Sequence, residues 1–182
     1  MRFAYADPPY LGMCGLYEHN HPDGRCWDHE ATHQLLVKRL AKYDGWALSL
    51  SSTSLRTILP MCPEEVRVCA WVKPFAAFKA NVTQAYAWEP VIVKPLRRRP
   101  REEPTVRDWV SEVVTLQRGT IGAKPEGFCR WLFEFAGLDE DDEFLDLFTG
   151  SGAVQRAWEA WHSQRRMWDA DDAEAMAIGN FL

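Results

Sequence analysis

No stretch of this chain is long and apolar enough to cross a bilayer, and nothing in it resembles a signal peptide. A soluble, intracellular and cytoplasmic protein is therefore expected. Cysteine is scarce and odd in number. Cys14, Cys26, Cys62, Cys69 and Cys129 show no framework spacing, which predicts reduced thiols rather than a disulfide scaffold. Overall positive charge is lacking too, and a net charge of −5 argues against a broad nucleic-acid-binding surface. No internal repeat is visible.

What is present is an apolar majority with uneven charge. The 182 residues are 47% hydrophobic, enough for the core of one domain. KPLRRRPR at 94–101 is strongly basic, and DEDDE at 139–143 is strongly acidic. Such asymmetry can place a local phosphate-binding patch inside an acidic whole.

Periodicity predicts a short buried strand at 3–6, a helix over 29–42 and a strand at 45–52. One or two helical turns at 55–59 should end at Pro60 and Pro63. Strands are expected at 65–72 and 85–93, followed by a Pro- and Arg-rich linker at 94–105. A helix at 128–136, a strand at 143–148 and a helix from 153 to about 162 come next. A short strand at 166–168 and a terminal helix from 173 complete the expectation. Strands alternating with helices imply an α/β layered domain around a largely parallel sheet. The whole chain, 1–182, reads as one domain, with 95–121 a minimal basic recognition or linker segment.

Two stretches carry chemistry. FAYADPPYLG at 3–12 is an apolar strand stopped by Pro8 and Pro9. Proline fixes φ and restricts the residue before it, so Asp7, Pro8 and Pro9 form a stiff ledge. The Asp7 carboxylate and Pro8 carbonyl are then held in set directions. DLFTGSGAV at 146–154 is a strand, a turn carrying Gly150 and Gly152, and a helix start. That arrangement brings bare N–H groups and a helix N-terminus close to a ligand. A dinucleotide fingerprint needs a third glycine at 155, where Gln155 stands. The next acidic residues near the end of the expected following strand, Asp169 and Asp171, lie at roughly the ~20-residue spacing at which a carboxylate can take ribose hydroxyls.

Together the two stretches resemble the S-adenosylmethionine-dependent amino-methyltransferases that modify exocyclic nitrogens of DNA bases. Their order, with Asp-Pro-Pro-Tyr first and the glycine loop late, resembles the circularly permuted beta class. GAKPEGFCRWL at 122–132 sits where that family has a Lys-Pro element and its helix. AWEPVIVKP at 87–95 resembles the strand ahead of its target-recognition segment. The resemblance covers nearly the whole chain. It implies a Rossmann-like fold with a mixed, mostly parallel sheet, circularly permuted. The chain stops soon after the expected ribose-binding strand, so a terminal strand is expected to be missing or replaced.

The resemblance also implies roles. S-adenosylmethionine is the expected cofactor and DNA the expected substrate, with adenine N6 of a flipped-out base as acceptor. Asp in the first motif position favours adenine over cytosine N4, where Ser is commoner. Cytosine N4, RNA or a protein amide as substrate, and a non-catalytic nucleic-acid-binding module, stay open, as does a homodimer. Asp7, Pro8, Pro9 and Tyr10 fall on the catalytic motif. Asp146, Phe148, Gly150, Ser151 and Gly152 fall on the cofactor loop, with Lys124, Pro125 and Asp7 beside it. Asp169 is the expected ribose carboxylate, with Asp171 the second choice. Arg97, Arg98, Arg99 and Arg101 would grip phosphates, together with Arg107, or else form a solvated linker.

The chemistry explains the ledge. An aromatic amine is a poor nucleophile because its lone pair is delocalised into the ring. If Asp7 and the Pro8 carbonyl each accept one amine hydrogen, the lone pair localises on nitrogen and can attack a methyl group. Tyr10 would stack on the extruded base. One cluster has no place in the resemblance: Cys14, His19, His21, Cys26, His29 and His33. Its spacing matches no standard zinc module, and a mobile loop over the cleft is expected rather than a metal site.

Overall fold

Strand β1 (Arg2–Ala6) is buried at four consecutive residues, so it has to lie inside a sheet covered on both faces. In the computed structural model, which describes residues 1–14, 24–74, 83–114 and 123–179, it does. β2 (Gly45–Ser49) pairs with it in parallel on one side and β6 (Glu143–Asp146) in parallel on the other. β4 (Trp88–Lys94) runs antiparallel to β2, and β3 (Arg67–Val72) antiparallel to β4. β5 (Trp109–Ser111) closes the far edge, parallel to β3. The result is a mixed, mostly parallel six-stranded sheet in the order β5-β3-β4-β2-β1-β6.

Side chains alternate across this sheet and divide the core in two. Phe3, Tyr5, Ala47, Cys69, Trp71, Val91 and Val93 face α3 (Glu126–Ala136) and α4 (Ala153–Gly179), packing on Phe128, Leu132, Phe133 and Trp158. Ala4, Ala6, Trp46, Leu48 and Ile92 face α1 (Glu30–Leu40) and α2 (Leu55–Ile58), packing on Leu36, Leu40 and Ile58. α3 stops because Gly137 turns left-handed at φ 70°, with Leu138 N–H returning to the Phe133 carbonyl at 3.0 Å. A Cβ there would sit 2.9 Å from the Arg97 carbonyl, so the position is closed to other residues twice over.

Two expectations are corrected. The strand at 166–168 does not form, because α4 runs unbroken from Ala153 to Gly179. Nothing between 153 and 178 is Gly or Pro, and a three-residue alternation cannot compete with a run rich in Ala, Glu, Gln, Arg and Met. The second is β5, whose three residues within an irregular stretch carry no legible strand signal. Lys94 still belongs to β4, but the rest of the expected linker, 95–105, has no helix or strand, and it is anchored. Leu96 N–H donates to the Ala136 carbonyl at 2.8 Å. No helix among the described residues is long and apolar enough to cross a membrane.

Candidate active site

Strand periodicity positions the site. Phe3, Tyr5 and Asp7 form one row, as do Val93, Val91 and Glu89, and Cys69, Trp71 and Lys73. Each row is apolar in the sheet and becomes charged at the same end, because β4 runs opposite to β1 and β3. Lys124, just before α3, drops into the space between them. Its side chain is only 4% exposed, and a buried ammonium persists only when paired. Here it is paired. Lys124 Nζ lies 2.8 Å from Asp7 Oδ2 and 3.5 Å from Glu89 Oε2, and it donates to the Tyr10 hydroxyl at 3.4 Å. It also lies 5.3 Å from the Trp71 ring centroid. Lys73 closes the group through an ion pair with Glu89 Oε1.

Two carboxylates and two ammonium groups thus balance around one phenol. The Tyr10 hydroxyl is 3.1 Å from Asp7 Oδ1 and 3.0 Å from Glu89 Oε2. Burial and the two neighbouring carboxylates push the Tyr10 phenol well above its usual pKa, so it stays a proton donor. Burial pushes the Glu89 carboxyl up, but Lys124, Lys73 and the hydrogen bonds it accepts outweigh that and hold it below its usual value. Below the row, Tyr5 and Ser49 share a hydrogen bond of 2.8 Å that closes the core off from the site.

The glycine loop stands beside this group because Asp146 is the register partner of Tyr5. Leu147 N–H donates to the Tyr5 carbonyl at 2.9 Å, carrying the pairing to the start of the loop. Gly150 and Gly152 are left-handed, at φ 41° and 71°, a conformation that side chains resist. Ser151 Oγ accepts the Ala153 N–H at 3.3 Å and Gly152 N–H turns back to the Thr149 carbonyl, so the loop leads straight into α4. Phe148 packs edge-on against Trp27 at 5.1 Å. Asp146 Oδ1 accepts the Phe148 N–H at 3.1 Å, whereas Oδ2 is buried with no partner among the described residues. Burial and the nearby Asp7 charge raise the Asp146 pKa. An unpaired buried carboxylate oxygen beside two left-handed glycines suits a ligand that brings a hydroxyl or a positive charge.

Asp7, Tyr10, Lys124 and Asp146 therefore come together from three distant parts of the chain, with Pro125 supplying the extended residue from which α3 starts. Glu89 and Lys73 join them, although neither stands out in the sequence. The signal available was a charged residue in the inward register of a buried strand, immediately before Pro90 in one case.

Other expected residues are placed differently. Asp169 and Asp171 lie within α4 rather than at a strand end, which removes the ground for assigning them to a ribose. At 1.5 Å per residue, Asp169 is about 24 Å along the helix from its start. Of the four arginines, Arg97 forks onto both oxygens of Asp142 at 2.7 Å and reaches the Gly137 carbonyl at 2.8 Å. Arg99 pairs with Glu103 at 2.7 Å and donates to the Glu134 carbonyl at 3.0 Å. Arg98 and Arg101 are exposed. Of the cysteine and histidine cluster, His19 and His21 lie outside the described residues. His33 donates to the Trp27 carbonyl at 2.9 Å, and burial lowers its pKa. No group of three metal-ligating side chains occurs among the described residues.

No protein-family model matches this chain, and no curated protein does. Solved structures do match. The M1.HpyAVI–SAM complex superposes with a TM-score of 0.54 at 15% identity, over 87% of this chain and 78% of that one. M1.HpyAVI gives 0.51 at 14% identity, over 88% and 76%. The likeness is one of fold.

Proposed function

We propose that this chain transfers a methyl group from S-adenosylmethionine to the exocyclic amine of a DNA base, adenine N6 in the first instance, with the motif order of the beta class. One observation carries the reading. The Asp7-Pro8-Pro9-Tyr10 ledge and the Gly150–Gly152 loop lie at the ends of adjacent parallel strands. An amine held by one can therefore meet a methyl donor held by the other. The similarity in fold to a protein solved with SAM supports the choice of donor.

The residues present fit that cofactor. Asp146 Oδ2 lacks a partner among the described residues, and Gly150 and Gly152 put no side chain on the turn beside it. Asp146, Phe148, Gly150, Ser151 and Gly152 would hold it, with Asp7 and the Lys124-Pro125 element alongside. When bound, S-adenosylmethionine supplies an electrophilic sulfonium methyl.

The chain's own residues do the rest. Each carboxylate oxygen of Asp7 can accept more than one hydrogen bond, so Oδ1 or Oδ2 can take an amine hydrogen beside Tyr10 or Lys124. The Pro8 carbonyl takes the other. The proline ring geometry fixes both acceptors in advance, so little reorganisation is needed as nitrogen becomes tetrahedral. Once nitrogen has become positive, its proton is acidic enough to pass through the Asp7 carboxylate that already accepts it and on to water, so no strong base is required. Tyr10 presents its ring to a base drawn out of the duplex. Arg98 and Arg101 supply phosphate contacts that position without reading sequence.

Titration calorimetry is the first test: S-adenosylmethionine should bind and NAD should not. Labelled cofactor with unmethylated DNA should then yield N6-methyladenine. Asp7→Ala should lower the rate at saturating cofactor by at least ~10²-fold. A wild-type rate in that variant would return the ledge to a structural strand end.

A further inference from the structure

The Tyr10 hydroxyl has one proton and two carboxylates competing for it, Asp7 Oδ1 at 3.1 Å and Glu89 Oε2 at 3.0 Å. A proton given to Asp7 occupies an acceptor site that the base amine needs. A proton given to Glu89 leaves that site open. We propose that Glu89 is a positioning residue, the alternative acceptor on which the Tyr10 hydroxyl rests while Asp7 engages the amine. The proposal rests on the amine-methylation reading above.

Three features of the structure support it. Glu89 is fixed where it stands, because it lies on β4 opposite Trp71 and Pro90 follows it directly. Its charge is matched by Lys73 on Oε1 and Lys124 on Oε2, so the carboxylate stays ionised and able to accept. Lys124 also donates to the phenol oxygen at 3.4 Å. The oxygen therefore keeps a donor whichever of the two carboxylates takes its proton. Tyr10 keeps one ring position in both arrangements, as a residue that stacks on a base must. Without Glu89, the phenol proton has only Asp7 among the described residues to accept it.

A double-mutant cycle tests this, since it isolates what passes through the shared hydroxyl. Glu89→Gln replaces a charged acceptor with a neutral one and should lower kcat about 10-fold, with cofactor affinity unchanged. Tyr10→Phe removes the contested proton and keeps the ring. In that background Glu89→Gln should cost almost nothing. An equal loss in both backgrounds, or no loss in either, overturns the proposal. Should Glu89→Gln fail to fold, Glu89→Asp keeps the charge between the lysines but withdraws the carboxylate from the phenol, and the same pattern is expected.

A readout independent of turnover separates this idea from its parent. With ¹³Cζ-tyrosine, the Tyr10 resonance should titrate at lower pH in Glu89→Gln than in wild type, because one proton acceptor has lost its charge. An unchanged titration overturns the proposal even if the enzyme methylates DNA. A wild-type protein that methylates nothing, with the titration shift present, would sink the parent reading and leave the Tyr10–Glu89 contact standing.

Discussion

Asp142 and Asp146 stand four residues apart at the two ends of β6, and the fold treats them in opposite ways. Asp142 is wholly buried at the side chain and fully paired. Its Oδ1 accepts from the Met1 ammonium at 2.9 Å and Arg97 at 2.7 Å, and its Oδ2 from Arg97 at 2.7 Å and Asp139 N–H at 2.8 Å. Burial works against its charge, but Arg97, the terminal ammonium and the Asp139 N–H outweigh burial and hold its pKa below the ordinary value. Among the described residues Asp146 has one hydrogen bond on Oδ1 and none on Oδ2, and burial raises its pKa. One end of the strand spends its charge on the fold, and the other keeps charge in reserve. A native protein tolerates an unsatisfied buried oxygen where a ligand completes it.

The sharpest way to break this comparison is Asp142→Ala. It strands the partly buried Arg97 guanidinium and should cost about 3 kcal/mol, or a Tm lower by roughly 6–12 °C. A change under about 1 kcal/mol would mean that the end taken as structural is not. Asp146→Asn should do the reverse. Its Oδ1 bond to Phe148 can persist while the unfavourable charge disappears, so Tm should hold or rise slightly as S-adenosylmethionine affinity falls about 10-fold. Equal losses of stability and affinity would erase the contrast.

The two carboxylates also predict opposite pH responses. Asp142 is depressed below 3.8, so its stabilisation is full above that value and is lost as pH falls through its folded pKa. Asp146 is raised above 3.8, so the stability linked to it is full below that value and is lost as pH rises through its folded pKa. Urea midpoints from about pH 3 to about pH 7 should show the acid loss shrink in Asp142→Asn. The decline on the higher-pH side should shrink in Asp146→Asn.

The smallest expected effect extends the comparison to the arginine run. Replacing Arg98 and Arg101 with Ala should leave Tm nearly unchanged while weakening DNA binding at all sequences and lowering the salt slope by about 2. Arg97→Ala should lower Tm and move the salt slope little. The opposite pattern would restore the run as a single phosphate grip.

Much of this site was legible because its two halves are local. A strand stopped by two prolines and a strand opening into Gly-x-Gly each need fewer than ten residues, and both formed where the pattern put them. Their adjacency was not legible, since the β1–β6 pairing depends on the whole chain between them. Glu89 and Lys73 were invisible for the same reason: single charges acquire meaning only when four strand ends meet. The division of the arginines could have been suspected from sequence, because the basic run needs counter-charges and an acidic run follows some forty residues later. The 166–168 strand failed because alternation over three residues is as compatible with a helix as with a strand.

The central place of β1 has a consequence for how the protein is made. One of its neighbours is the next strand in sequence, but the other, β6, is separated from it by well over a hundred residues. At ribosomal rates of about 5–20 residues per second, β1 waits roughly 7–28 s for its second partner to be synthesised. Through that interval a buried, apolar strand has one open edge, the kind of surface on which nascent chains associate. Long-range pairing of this sort also makes the closing step slow. Asp7 and the glycine loop meet only when that step is complete, so no part-made chain carries both halves of the site.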